Sequence, residues 1–114
     1  MTAPRLTYHL TPKDWWDAAD PDAPLRSPSL ASEGFMHCTD GAAEMVATAN
    51  RHYAAVSGAF VILTVDLDRV TSAWRVEDPG RIYPHIFGPI DRVAIVAVVD
   101  APRGPDGTFL PFRA

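Results

Sequence analysis

Cysteine, positive charge and long apolar runs are all scarce in this sequence of 114 residues. Cys38 is the only cysteine, which excludes an internal disulfide and a cysteine-based metal site. The longest apolar runs, residues 59–65 and 93–99, have the length of strands and fall far short of the roughly 20 residues that a membrane helix needs. The first ten residues lack the apolar stretch of a signal peptide. We therefore expect a cytoplasmic protein that does not associate with membranes.

The formal net charge is −4 at pH 7. This charge argues against a protein that binds bulk nucleic acid, because binding to the phosphate backbone depends on positive charge. It leaves room for a small anionic ligand held by a few arginines. The sequence makes no prediction about oligomeric state.

The apolar share of 47% and the charged share of 21% are typical of a globular protein. A chain of this length suits one hydrophobic core, so we expect a single domain over residues 1–114. The order of strand-like and helix-like segments predicts an α+β fold, in which two or three helices pack on a mainly antiparallel sheet.

Helix and strand signals alternate along the first half of the chain. Thr11 and Pro12 predict the start of a first helix. Thr39 with Glu44 predicts the capped start of a second helix, which should end near Gly58. The predicted strands cover residues 5–10, 34–38, 60–65, 73–76, 82–87, 93–99 and 108–112, of which 60–65 and 93–99 should be buried on both faces.

Three of the four histidines, His9, His37 and His85, lie in strand-like segments. Each of them alone could be a packing residue, but together they suggest a shared cleft, because imidazole changes its charge near neutral pH. Side chains alternate along a strand, so His37 and Cys38 should point to opposite faces and cannot act as a pair. Tyr83 shares a strand face with His85, and that face either stacks a planar ring such as nicotinamide or adenine or fills the core.

Further candidate ligand-binding residues lie in segments that read as turns. Ser29, Glu33 and Phe35 precede the strand of His37, in a polar turn that is either a plain loop or a loop lining a ligand. Glu77, beside a Pro-Gly turn, is either a general acid or base or a surface charge. No phosphate-binding glycine loop, nucleophile elbow or dinucleotide fingerprint is present. A three-histidine metal centre stays open as an alternative but lacks diagnostic spacing, so no metal ligand is assigned.

Four strings of residues carry a family resemblance when they are taken together. They are Tyr8-His9-Leu10-Thr11, Glu33-Gly34-Phe35-Met36-His37-Cys38-Thr39, Asn50-Arg51-His52-Tyr53 and Tyr83-Pro84-His85-Ile86-Phe87-Gly88-Pro89-Ile90. Over roughly residues 6–99 the chain resembles the domain of unknown function 952 family of small bacterial proteins. The resemblance implies a fold similar to that of the ADP-ribosyltransferases, which include RNA 2′-phosphotransferases.

The same resemblance implies roles for individual residues. His9 would contact a ribose of NAD, His37 would lie beside the nicotinamide, and His85 or else Glu77 would occupy the third motif. The sequence departs from the transferring enzymes, because no glutamate stands in a recognisable third motif.

Two classes of function follow as hypotheses. The first is a transferase or binder of a nucleotide or NAD-type ligand, in which His9, His37 and His85 are the catalytic residues. The alternative is a non-catalytic module that binds a small molecule or contacts another protein.

Overall fold

The structure, a computed structural model, describes residues 3–113. It confirms an α+β fold, built from two three-stranded antiparallel sheets and three α-helices. No helix within residues 3–113 is long and apolar enough to cross a membrane. The strands are β1 (Leu6–Pro12), β2 (Met36–His37), β3 (Phe60–Asp66), β4 (Trp74–Val76), β5 (Pro84–Ile86) and β6 (Ile95–Asp100). The helices are α1 (Lys13–Ala18), α2 (Pro28–Glu33) and α3 (Ala42–Tyr53), with 3₁₀ turns at Leu67–Arg69 and Arg92–Ala94.

The larger sheet has the order β1-β3-β6. Its central strand β3 is buried at every position, because both of its faces are covered. One face, with Phe60 and Ile62, packs on Met45 and Ala49 of α3. The opposite face lies against the second sheet, and it belongs to a core made of Leu25, Met36, Cys38, Val61, Leu63, Val65, Leu67, Ile86, Ile90 and Ala94.

The smaller sheet has the order β2-β5-β4. Met36 of β2 pairs with Ile86 of β5, and both side chains are fully buried. The backbones of Tyr8 and Thr39 join the two sheets, since the N–H of each donates to the carbonyl of the other, at 3.0 and 2.8 Å. The short strand β2 is therefore held from both sides.

Both predicted helix starts are wrong in detail. Thr11 is fully buried and pairs with Val61, so β1 continues to Pro12 and no side chain caps α1. Gly41 stands at the N-cap of α3 without a side-chain capping bond, so the predicted role of Glu44 is not observed. The helix ends at Tyr53, well before Gly58.

Three other segments also differ from the sequence predictions. Residues 28–33 form the helix α2 rather than a polar turn. In the segment 93–99 the strand begins only at Ile95, and Val96 and Val98 are exposed because one face of this edge strand is uncovered. The segment 108–112 forms an isolated bridge from Phe109 to Arg103 instead of a strand.

Arg103 ties the C-terminal end of α3 to the loop that contains Gly107. Its guanidinium donates to the carbonyl oxygens of Val56 and Gly58 at 2.7 Å each, and to that of Ala54 at 3.0 Å. These bonds satisfy carbonyl groups at and beyond the end of the helix that have no partner inside it. The carbonyl of Gly107 accepts from the same side chain.

We expect Gly107→Ala to destabilise the protein by about 3 kcal/mol or more. Gly107 has a φ of +91°, and an added Cβ would lie 2.5 Å from the carbonyl oxygen of Ala54. Gly58→Ala is the matched control, because Gly58 also has a positive φ (+105°) but has open space around it. Urea unfolding of both variants is the measurement. Equal losses of unfolding free energy would show that the close approach to α3 contributes nothing.

Candidate functional site

A cleft of about 510 Å³ opens between α3 and the smaller sheet. Polar and aromatic side chains from both sides line it. The lining residues are Leu10, Glu33, His37, Cys38, Thr39, Met45, Thr48, Arg51, His52, Tyr53, Asp78, Tyr83 and His85.

Glu33 and His37 form a hydrogen-bonded pair on one wall. Glu33 Oε2 lies 2.9 Å from His37 Nε2, and both side chains are about half exposed. Gly34 brings them together, because its φ of +84° ends α2 and lets the chain turn directly into β2. A carboxylate accepts hydrogen bonds, so the neutral imidazole carries its proton on Nε2 and presents a free lone pair on Nδ1. The pair therefore offers an oriented proton acceptor at His37 Nδ1.

His85 lies directly across from His37 in the pairing of β2 with β5. The two imidazole rings meet edge to face, with centroids 5.4 Å apart. On its other side His85 stacks on Phe35, with centroids 4.3 Å apart and planes 20° apart. Burial, followed by the charge of His37, lowers the pKa of His85, which favours the neutral form of this imidazole.

His9 is 3% exposed and does not line the cleft. Its Nδ1 lies 2.6 Å from the carbonyl oxygen of His37. Since a carbonyl only accepts, Nδ1 is the protonated nitrogen, and the buried Nε2 has no hydrogen-bond partner among the described residues. Burial lowers the pKa of His9 to about 4, against the opposing effect of the bond to the His37 carbonyl. His9 therefore holds the backbone of β2 from behind, as a neutral imidazole.

The structure thus brings two of the three strand histidines to one cleft. His37 and His85 face it, together with Tyr83 and Glu33. Placing His9 in the lining was wrong, because the alternation of β1 turns that side chain into the core between the two sheets.

The remaining predicted site residues lie outside the lining. Ser29 is part of α2, where its hydroxyl is 3.0 Å from that of Ser27. Phe35 supports His85 from behind. The carboxylate of Glu77 is 4.0 Å from the guanidinium of Arg75.

From the side of the smaller sheet, the Tyr83 side chain contacts two residues of α3 on the opposite side of the cleft. Its hydroxyl oxygen accepts from Thr48 Oγ1 at 3.5 Å and from Arg51 Nη1 at 3.3 Å. These two bonds lower the pKa of the phenol. Sequence reasoning did not find this cluster, because Arg51 and Tyr83 are 32 residues apart. The helical spacing of Thr48 and Arg51 signals only that they share one side of α3.

Two other titratable groups of the lining, the Asp78 carboxylate and the Cys38 thiol, are not candidates for the reacting group. Partial desolvation raises the pKa of Asp78, but the backbone N–H groups of Ile82 and Tyr83 donate to its carboxylate and bring the pKa below its usual value. Burial raises the pKa of the Cys38 thiol far above its usual range, so this sulfur is not a nucleophile at neutral pH. Within residues 3–113 no three His, Cys, Asp or Glu side chains converge in a way that could hold a metal ion.

Comparisons with known proteins define the class of this α+β protein. A model of the family described as Protein of unknown function (DUF952) matches residues 10–98. The chain belongs to that family, and the match confirms the resemblance carried by the histidine-containing strings.

Crystal structures of protein CC0527 from Caulobacter crescentus, one of them of a double mutant, share the fold of this chain. Each superimposes with a TM-score of 0.75 at 21% sequence identity, covering 93% of this chain and 94% of that one. No functionally curated protein matches the chain.

Proposed function

We propose that the protein binds a nucleotide-type ligand, such as NAD or a 2′-phosphorylated ribose, in this cleft and transfers a group from it. The Glu33–His37 pair is the observation that carries the proposal. The pair supplies an oriented base on the same side of the cleft as the imidazole of His85, which offers a flat surface for a ring. The ADP-ribosyltransferase-like fold that the family resemblance implies is part of the proposal, and the two antiparallel sheets are compatible with it.

In the proposed reaction, the oxygen of a hydroxyl group or of water attacks the ribose carbon that carries the leaving group. The new C–O bond forms as the old bond to the leaving group breaks, and the leaving group departs with the electron pair. His37 Nδ1 takes the proton of the attacking oxygen, and Glu33 stabilises the resulting imidazolium. His85 and Tyr83 bound the space in which the leaving ring lies.

The second candidate is a binding module without turnover, and one feature of the cleft favours it. Both carboxylates of the lining already have partners: Glu33 has His37, and Asp78 has backbone N–H groups. A positively charged ribose transition state would therefore find no unengaged carboxylate in the described lining. This candidate predicts that ligands bind but are not consumed.

A thermal-shift screen followed by a turnover assay tests the proposal. The ligands are NAD, ADP-ribose, nicotinamide and ribose 2-phosphate. A ligand at about 100 times its Kd should add roughly 2.7 kcal/mol to the unfolding free energy. We expect the shift to shrink in His85→Ala, which removes a wall of the cleft, and to persist in Glu77→Gln, which changes a carboxylate outside it.

A shift with turnover supports group transfer, and a shift without turnover supports the binding module. No shift with any of the four ligands would contradict the proposal and favour a contact with another protein. The proposal also places the protein in the bacterial cytoplasm, where a single buried thiol is ordinary.

A further inference from the structure

Arg51 differs from the arginines that hold the fold together. Arg5 is paired with Asp40 at 2.7 Å, and Arg103 donates to backbone carbonyls around the end of α3. Among the described residues, the guanidinium of Arg51 makes one hydrogen bond, to the hydroxyl of Tyr83, and no ion pair within 4.0 Å. Four of its five N–H donors thus remain for a ligand in the cleft.

The hydroxyl of Tyr83 is arranged to donate into the same space. Its oxygen already accepts from Arg51 and Thr48, so its own proton is free for an acceptor on a ligand. The Arg51 guanidinium and the Tyr83 hydroxyl lie on neighbouring parts of the fold. A guanidinium together with a hydroxyl donor is a suitable combination for binding a phosphate.

We propose that Arg51, Tyr83 and Thr48 form a phosphate subsite in the cleft, so that the ligand is a phosphate ester of a ring-bearing sugar. This inference rests on the proposed function, and it names the part of the ligand that α3 recognises.

The position of the subsite agrees with that assignment. Backbone bonds from Cys38 to Pro84 and from Asp40 to Ile82 continue the pairing of β2 and β5 past Tyr83. Tyr83 therefore precedes His85 by two residues of extended chain, or about 7 Å. In the proposed binding mode, the sugar attached to a phosphate at Tyr83 extends along this strand toward His85.

Acidic side chains near the subsite oppose the binding of a phosphate, and they include Asp78, whose carboxylate accepts from the N–H of Tyr83, and Glu44. The carboxylate of Glu44, on the same helix, is close enough for its charge to act on both Arg51 and Tyr83. It competes with a phosphate for the guanidinium. Removing this charge should therefore strengthen phosphate binding. A Glu44 variant without the charge is thus expected to bind a phosphate more tightly than wild type does.

The experiment compares adenosine with AMP by isothermal titration, with inorganic pyrophosphate as a probe that has no ring. We expect wild type to bind AMP about tenfold or more tighter than adenosine. In Arg51→Gln that ratio should fall close to one while the affinity for adenosine stays the same. Tyr83→Phe should lower the ratio several-fold, and Glu44→Gln should raise it about twofold.

Arg75→Gln is the matched control, because Arg75 lies on β4 next to His85 but outside the lining, with its guanidinium over Phe87. It should leave the ratio unchanged. Equal losses in the Arg51 and Arg75 variants would overturn the subsite, as they would reveal a general charge effect. Two other results would also overturn it: equal affinity of wild type for AMP and adenosine, and no binding of AMP or pyrophosphate at about 10 mM.

The outcomes separate this inference from the proposed function. Equal affinity for AMP and adenosine, with NAD still consumed, would contradict the phosphate subsite and support the transferase activity. AMP binding that depends on Arg51, with no ligand consumed, would support the phosphate subsite and contradict the transferase activity.

Discussion

Replacing His37 with glutamine should lower kcat by about 10²- to 10⁴-fold, the range that a positioned acid or base contributes. The side chain is about half exposed, so the fold should tolerate the change and ligand affinity should fall only slightly. Glu33→Gln keeps an acceptor for His37 Nε2 but removes the charge that stabilises the imidazolium. We expect a smaller loss in kcat, about tenfold, with KM nearly unchanged.

Kinetics of wild type and these variants on a consumed ligand, with binding measured in parallel, check this expectation. Glu77→Gln is the control, since its carboxylate contacts Arg75 rather than His37. If His37→Gln lost binding and kcat to the same extent, His37 would be a ligand contact and not the base. An unchanged kcat would remove it from the mechanism.

His9 should make the protein markedly less stable in mild acid. Its pKa is about 4 in the folded protein because of burial, compared with 6.5 for an ordinary histidine. Between these two values the unfolded chain binds a proton that the folded chain does not, so the unfolding free energy falls as the pH falls. The full stabilisation is present above pH 6.5, and about 2–3 kcal/mol of it should be lost between pH 7.5 and pH 4.5.

His9→Asn isolates this effect. The amide of asparagine can replace the Nδ1–H that donates to the His37 carbonyl, and it does not titrate. Urea unfolding at the two pH values should show a smaller loss of unfolding free energy for the variant. The aspartates of low pKa, Asp78 and Asp106, contribute equally to both proteins and cancel in the comparison. Parallel pH dependence would show that His9 does not titrate as a buried neutral group.

The sequence predicted the fold class well where local pattern and burial agree. The strand at 60–65 was recovered as β3, because a run of β-branched and aromatic residues covered on both faces has a clear signature. The run at 93–99 has the same composition, but it lies at a sheet edge, and position in a sheet leaves no mark in composition. Thr11 has the chemistry of a cap, yet its pairing with Val61 extends β1.

The site was predicted in part for a similar reason. His37 and His85 face the cleft that the three strand histidines were expected to share. Tyr83 lines it together with His85, as strand alternation suggested, since alternation is a local property. The burial of His9 depends on which sheet covers that face of β1. The cluster of Tyr83 with Arg51 depends on how α3 crosses the small sheet. Both are tertiary relations between distant segments, and a single sequence does not report them.

The paired backbone bonds between Tyr8 and Thr39 have a consequence for the cost of ligand binding. They fix the base of the cleft to the larger sheet, one residue from His9 and two from His37. This part of the cleft is preorganised, so the protein backbone should lose little entropy when a ligand binds there. The affinity should therefore depend on the rotamers of exposed side chains such as Arg51, and analogues with rigid rings should gain little over flexible ones.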